Sequence, residues 1–302
     1  MSASPVLSTA ALGRPFIFLA QPLLKKLGSV PKLAHVTPAS RLDVHPAPEM
    51  VSSGIAALDG MTGGWPRGCL SEICGPASSG RTGMLLAALA RSTQNGEVCA
   101  LVDAGDALDP ASAEAAGVDL GKLLWVRCGK AVLGSQFPVL SLRRKQMDRR
   151  TMDGLEIAAE RRGWELRLEQ VLKVTDLLLQ SNGFGMIVLD LGDIPVRSAR
   201  QIPLASWFRF RRAIERTPTV LLVGEQQPIA GSCSSVLLKV SGVRSQVPGK
   251  QLSAVSCQLS GNPTHAELLD TVKITAELLR SRLERKPVQS VTSFRSHASW
   301  AG

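Results

Sequence analysis

Residues 75–82 read Gly-Pro-Ala-Ser-Ser-Gly-Arg-Thr. This is the spacing of a phosphate-binding loop, G-x-x-x-x-G-K-[ST], with arginine where lysine normally stands. Each part of that pattern has a physical task. Gly75 and Gly80 let backbone N–H groups close around phosphate oxygens, with Ser78 and Ser79 between them. The hydroxyl of Thr82 is placed to hold Mg²⁺. Lysine reaches the phosphates as a compact point charge, whereas the guanidinium of Arg81 is planar and bulkier, so the exchange is not neutral. The flanks fix the setting. Cys69–Cys74 reads as a short strand and Met84–Ser92 as an apolar helical run. Strand, Gly-rich loop and helix in that order define one kind of turn, with a helix N-terminus aimed at an anion.

The remaining apolar runs extend this into an α/β fold. Val98–Val102, Leu123–Cys128, Met186–Leu189 and Val220–Val223 read as strands. Helical segments are expected at Ala111–Ala116, Leu155–Leu179 and Ala205–Arg216. Alternation at these intervals predicts a mostly parallel sheet covered by helices on both faces. A chain of 302 residues with 44% hydrophobic content can bury one sizeable core. Residues 1–50, rich in Pro, Ser and Ala, are expected to form a flexible arm with one short helix around Leu19–Leu27. The core is expected over 51–283, and 284–302 as an irregular basic tail.

Charge and cysteine usage narrow the class. A net charge of +10 points to an anionic partner, nucleic acid being the commonest. The six cysteines form no Cys-x-x-Cys pair and read as buried apolar residues in a reducing compartment. The four histidines are scattered, which argues against a zinc site. No apolar stretch approaches a membrane span, and residues 15–24 lack the features of a secretory signal, so a cytoplasmic location is expected. Two tracts carry dense positive charge. One, 142–150, contains Arg143, Arg144 and Lys145 in an expected loop insertion. The other, Trp207–Arg212, interleaves aromatic residues with arginines, and reads either as a nucleic-acid surface or as an amphipathic helix whose Trp207, Phe208 and Phe210 pack inward.

Several segments together resemble the ATPase core of RecA. They are Val51–Asp59, Pro66–Gly68, Glu72–Pro76, Val102–Pro110 and Ala116–Asp119. Further on, Met186–Asp190 is similar to the Walker B strand and Val220–Gln226 to the strand ending in a phosphate-sensing glutamine. The resemblance implies a RecA-like P-loop NTPase core over roughly 51–295. It implies nucleotide contacts at Gly75, Ser78, Ser79, Gly80, Arg81, Thr82, Asp109, Asp190 and Gln226, with Thr82 and Asp190 on Mg²⁺. ATP with Mg²⁺ is compatible with this reading but not required by it.

The departures from the pattern matter as much. On this register the water-orienting glutamate of RecA falls at Gly105, and its adenine-stacking tyrosine at Ser112. Asp106 is adjacent to Gly105 but points elsewhere on a strand end. Each lost orienting or charge-stabilising group costs about 2–4 kcal/mol, or ~100- to 1,000-fold in rate. The resemblance therefore assigns no catalytic residue, and hydrolysis is expected to be weak or absent. The segments matching the two DNA loops, Leu191–Ala205 and Gln227–Val236, are shortened, the first keeping Arg197 and Arg200. Arg280 and Arg282 resemble in placement two lysines that reach a neighbouring protomer's nucleotide.

This pattern of losses is similar to the ImuA-type damage-inducible mutagenesis proteins, which implies an accessory role in translesion synthesis. The partners implied are RecA, an inactive Y-family polymerase homologue and ssDNA, with self-association open. Two rival readings are an active, divergent ssDNA-dependent ATPase recombinase, using Asp106 or Glu225 to orient water, and a regulator that caps RecA filaments.

Overall fold

The computed structural model describes residues 47–128, 149–244, 271–283 and 289–297. The chain divides into Met1–Ala47 and Pro48–Gly302, and all the elements given below lie in the second unit. The helix expected around Leu19–Leu27 lies outside the described residues.

A two-stranded antiparallel ribbon, β1 (Met50–Val51) and β2 (Trp65–Pro66), brackets helix α1 (Ala56–Thr62). The main sheet begins with β3 (Leu70–Cys74), followed by the Gly-rich loop and α2 (Arg81–Gln94). Next come β4 (Cys99–Asp103), α3 (Pro110–Ala115) and β5 (Leu123–Arg127). The second half carries α4 (Arg149–Ser181), β6 (Met186–Asp190), α5 (Val196–Ala199), α6 (Leu204–Ile214) and β7 (Val220–Glu225). It closes with β8 (Ser234–Arg244), β9 (Thr271–Ser281) and β10 (Val291–His297).

The eight strands order as β10-β9-β8-β3-β7-β6-β4-β5. Strands β8 through β5 in that order are parallel neighbours, and β9 and β10 add antiparallel. The protein is thus α/β with a mostly parallel sheet. Alternation along each strand sorts the core into two layers. Ile73, Leu101, Val188 and Leu222 pack with Met84, Leu85, Ala88 and Leu89 of α2. Leu70, Val102, Leu189 and Val223 pack with Val171 and Leu178 of α4 and Trp207, Phe210 and Ile214 of α6. Central parallel strands are buried on both faces, which is why they read as unbroken apolar runs in the sequence.

Three expectations are corrected here. The tail is not irregular throughout, because residues 291–297 pair with the first seven residues of β9, Val291 opposite Glu277 and His297 opposite Thr271. The tract 142–150 is not all loop, since α4 begins at Arg149. In α6, Trp207 and Phe210 are fully buried and meet edge to face with centroids 5.9 Å apart. Phe208, however, is 50% exposed, because the helical step carries it to the outer face with Leu204.

Candidate functional site

The Gly-rich loop is seated against the strands beside it. Gly75 N donates to Glu225 O at 3.0 Å, tying the end of β3 to the end of β7. A Cβ at Gly75 would collide with the Val240 carbonyl of β8, and one at Gly80 with the Ile274 side chain of β9. Gly80 also sits at φ +90, a left-handed conformation that glycine adopts without strain. Helix α2 begins on the next residue, so its N-terminus lies at the loop.

Arg81, the first residue of α2, does not reach outward. It is only 7% exposed, and its Nη1 donates to the carbonyl oxygens of Gly75 and, at 2.9 Å, of Glu225. Both the guanidinium and the Asp190 carboxylate lie against Gly192, where a Cβ would meet Arg81 Nη2 and stand 2.9 Å from Asp190 Oδ1. Two buried atoms of this corner, Ser79 Oγ and Arg81 Nε, lack a hydrogen-bond partner among the described residues.

Asp190 ends β6. Burial raises its carboxyl above the ordinary aspartate range, opposed by the Gly192 N–H, 2.9 Å away, and by the charge of Arg81. Asp190, Asp193, Thr82 and Arg81 line a cavity of about 150 Å³ whose apolar walls include Leu85, Leu89, Leu101 and Leu108. Ligand pockets commonly span roughly 300–1,000 Å³. At about 150 Å³ this cavity is smaller than that range, and a cation of the protein, Arg81, stands beside Asp190 in it. Among the described residues no group of three or more His, Cys, Asp or Glu side chains is placed to hold a metal.

The other expected nucleotide contacts are engaged within the fold. Asp109 caps α3, accepting from the Ser112 N–H at 3.1 Å and its hydroxyl at 2.6 Å, and that hydroxyl holds its carboxyl below the ordinary range. The Gln226 amide donates to Gly192 O at 2.9 Å and to Ile194 O at 3.3 Å, joining the end of β7 to the segment after β6. Ser78 adopts φ +60 in the loop. Asp106 is held away from Gly105 by a bidentate pair with Arg127, at 2.5 and 2.8 Å.

Three features were missed by sequence reasoning. Asp193, from the segment after β6, lies where Gly105 has no side chain: a Cβ there would stand 2.5 Å from Asp193 Oδ2. Asp103 organises the turn after β4, accepting from the N–H groups of Gly105, Ala107 and Leu108 and from Trp125 Nε1. Glu72 and Glu225, 0% and 1% exposed, share one face of the sheet. Their signal in the sequence was a carboxylate inside an otherwise apolar strand.

The basic residues separate into two groups. Arg143, Arg144 and Lys145 lie outside the described residues. Arg197, in α5, and Arg200 are exposed, and Arg200 Nη2 donates to Gln227 Oε1 at 2.5 Å, bridging the two segments that match the DNA loops. Arg209 pairs with Asp176 of α4 at 2.6 and 2.8 Å, which removes it from a free basic surface. Arg280 donates to Gly231 O of its own chain rather than extending toward a neighbour. Among the described residues no helix is long and apolar enough to cross a membrane.

A parallel sheet with a Gly-rich loop feeding α2, an acid at the end of β6 and a glutamine after β7 defines the P-loop class of α/β fold. Within that class, residues 28–132 match the RecA N-terminal domain. The chain is 48% identical over 80 residues to protein RecA of Borrelia hermsii, which covers 26% of this chain and 22% of that protein. It is 51% identical over 77 residues to protein RecA of Nostoc punctiforme, 25% of this chain and 21% of that one. With protein RecA of Prochlorococcus marinus the identity is 44% over 98 residues, 32% of this chain and 25% of the relative. The chain is therefore RecA-like, and the matched stretch spans about a quarter or less of each of these relatives.

Proposed function

We propose that this chain is a RecA-like accessory scaffold of the DNA-damage response, acting in error-prone translesion synthesis rather than as an ATP-driven recombinase. One observation carries the reading: Arg81 is folded inward onto the carbonyls of Gly75 and Glu225, where the loop would otherwise offer its charge to a phosphate. Gly105, with no side chain to orient water, supports it. Phosphoryl transfer depends on positioning and charge stabilisation by these parts, so losing two of them removes most of the catalytic advantage.

On this reading the partners are RecA and an inactive Y-family polymerase homologue, with ssDNA meeting Arg197 and Arg200, in the cytoplasm. The likeness to RecA is compatible with nucleotide at the loop through its backbone N–H groups, as a structural ligand. The test is quantitative binding of the purified chain to RecA and to the polymerase homologue, in the presence and absence of ATP. Saturable binding at a fixed stoichiometry, independent of ATP, supports the scaffold. No binding to either partner contradicts it. Binding to RecA alone favours a filament cap.

A second reading, a divergent active recombinase, draws on Asp193. Its carboxylate borders the position vacated at Gly105 and lines the cavity with Thr82 and Asp190. DNA-stimulated ATP turnover that is lost in Asp193→Asn would favour it.

A further inference from the structure

Parallel strands β3 and β7 pair with Cys74 opposite Glu225 and Glu72 opposite Val223. Side chains two residues apart share a face, so Glu72, Cys74 and Glu225 project to the layer covered by α6. There the two carboxyl groups share one donor, the Ile229 N–H. Their contacts converge on one short segment of chain. Glu72 Oε1 accepts from Ile229 N at 3.0 Å and Ala230 N at 2.7 Å, and Glu225 Oε1 accepts from Ile229 N at 3.3 Å. The Oε2 atoms of both residues are buried and have no hydrogen-bond partner among the described residues.

Two buried carboxylates converging on one amide cannot both stay ionised without separating, whereas a proton held between them turns repulsion into attraction. We propose that Glu72 and Glu225 form a proton-held latch, which fixes the segment 227–233 to the sheet and releases it when the shared proton leaves to solvent. The site is a binding site for one proton, and its occupant decides whether this face of the molecule is closed or open. The segment lies beside other features of the fold. Arg200 bonds to Gln227 at its start, Arg280 to Gly231 within it, and Leu204 of α6 lies 3.4 Å from where a Cβ on Gly231 would stand. Release would therefore free Arg200 and Arg280 together.

The sign follows from burial. Desolvation, followed by the charge of Glu72, holds the Glu225 carboxyl well above the ordinary glutamate range. The folded state thus binds the proton more tightly than the unfolded one. Closure is fully present below the ordinary glutamate range and is lost as pH rises through the elevated value. The surrounding groups do not compete. Cys74 on β3 is pushed up to about 11 by burial and by Glu72, and burial raises Cys233 of the segment itself. The charges of Arg211 of α6 and Arg282 after β9 oppose that rise at Cys233. Lys239 of β8 and Arg81 act on Cys74.

Hydrogen exchange of the full chain tests the latch, with rates corrected for the intrinsic pH dependence and followed from about pH 5 to about pH 9. Protection in peptides covering 226–234 should fall by at least roughly tenfold across that range while peptides of β4 and β6 hold theirs. Glu225→Gln keeps a neutral donor toward Glu72, and Glu72→Gln leaves a single carboxyl, so either variant that folds should keep the segment protected at every pH. Wild-type protection that does not change with pH would overturn the proposal. So would an equal loss in the two variants, or a loss shared by β4 and β6. The readout does not involve nucleotide or partner proteins, so its failure is separate from that of the scaffold reading.

Discussion

The Nη1 of Arg81 donates to the backbone oxygen of Glu225 at 2.9 Å, bonding the first residue of α2 to the last residue of β7. The same guanidinium also bonds the Gly75 carbonyl, and Gly75 N in turn donates to Glu225 O. A residue that motif reading assigns to a ligand's phosphates here closes a ring of contacts among the protein's own strand ends. The loop keeps its shape through the chain's own charge.

Removing that charge should therefore weaken the fold itself. Arg81→Ala leaves two buried carbonyls short of a donor and Asp190 short of its nearby cation. A loss of about 1–3 kcal/mol is expected, read as a lower urea midpoint at unchanged slope. A variant as stable as wild type would show that the contacts contribute nothing.

The loop's fit against β9 gives a second expectation. Gly80→Ala places a Cβ against Ile274 in a left-handed backbone conformation, and such strain costs about 1–3 kcal/mol before the clash is counted. Ile274→Ala in the same chain should recover the steric part but not the backbone part. The two changes are thus non-additive in a double-mutant cycle of unfolding free energies. Strict additivity would mean that the loop and β9 do not touch.

Much of this was legible in the sequence, for a physical reason. Strands β3, β4, β6 and β7 are buried on both faces, so their apolar runs announced them, and the glycines of the loop marked the turn. The antiparallel wing of β8, β9 and β10 was not legible. Beyond the short run Val236–Leu238, its strands alternate exposed and buried positions, as with Lys239 and Glu277 against Val240 and Ala276. The inward fold of Arg81 and the meeting of Glu72 with Glu225 depend on strand order, which joins residues far apart in the chain. Asp193 was missed because nothing in its neighbours marks it; only the empty place at Gly105 does.

Buried thiols should be inert in the native state. Burial first, and then Glu97, pushes Cys99 up to about 12, while Cys74 is held at about 11. The thiolate is the reactive form. Alkylation near pH 8, followed by peptide mass analysis, should leave both unmodified in native protein and modify both in urea. Both pKa values are raised in the fold, so the stability from neutral thiols is present below the ordinary cysteine range. It is lost as pH rises through about 11 and about 12. Rapid native labelling of either residue would contradict this burial.

On the proposed ssDNA contact, Arg197 and Arg200 are exposed and each would neutralise one phosphate. Replacing both with alanine should weaken binding and reduce the slope of log K against log salt by about 1.4, at ~0.7 per phosphate on single strands. Fluorescence anisotropy across a salt series measures it. An unchanged slope would move the DNA surface elsewhere.

The most direct test of a nucleotide site closed by its own arginine is ATP turnover by the purified full chain, with and without ssDNA. A variant carrying Arg81→Lys, Gly105→Glu and Asp193→Gly serves beside it, the last change making room for the glutamate. The account predicts no turnover by the wild type under either condition, whatever the variant regains. Turnover by the wild type, stimulated by ssDNA, would contradict it.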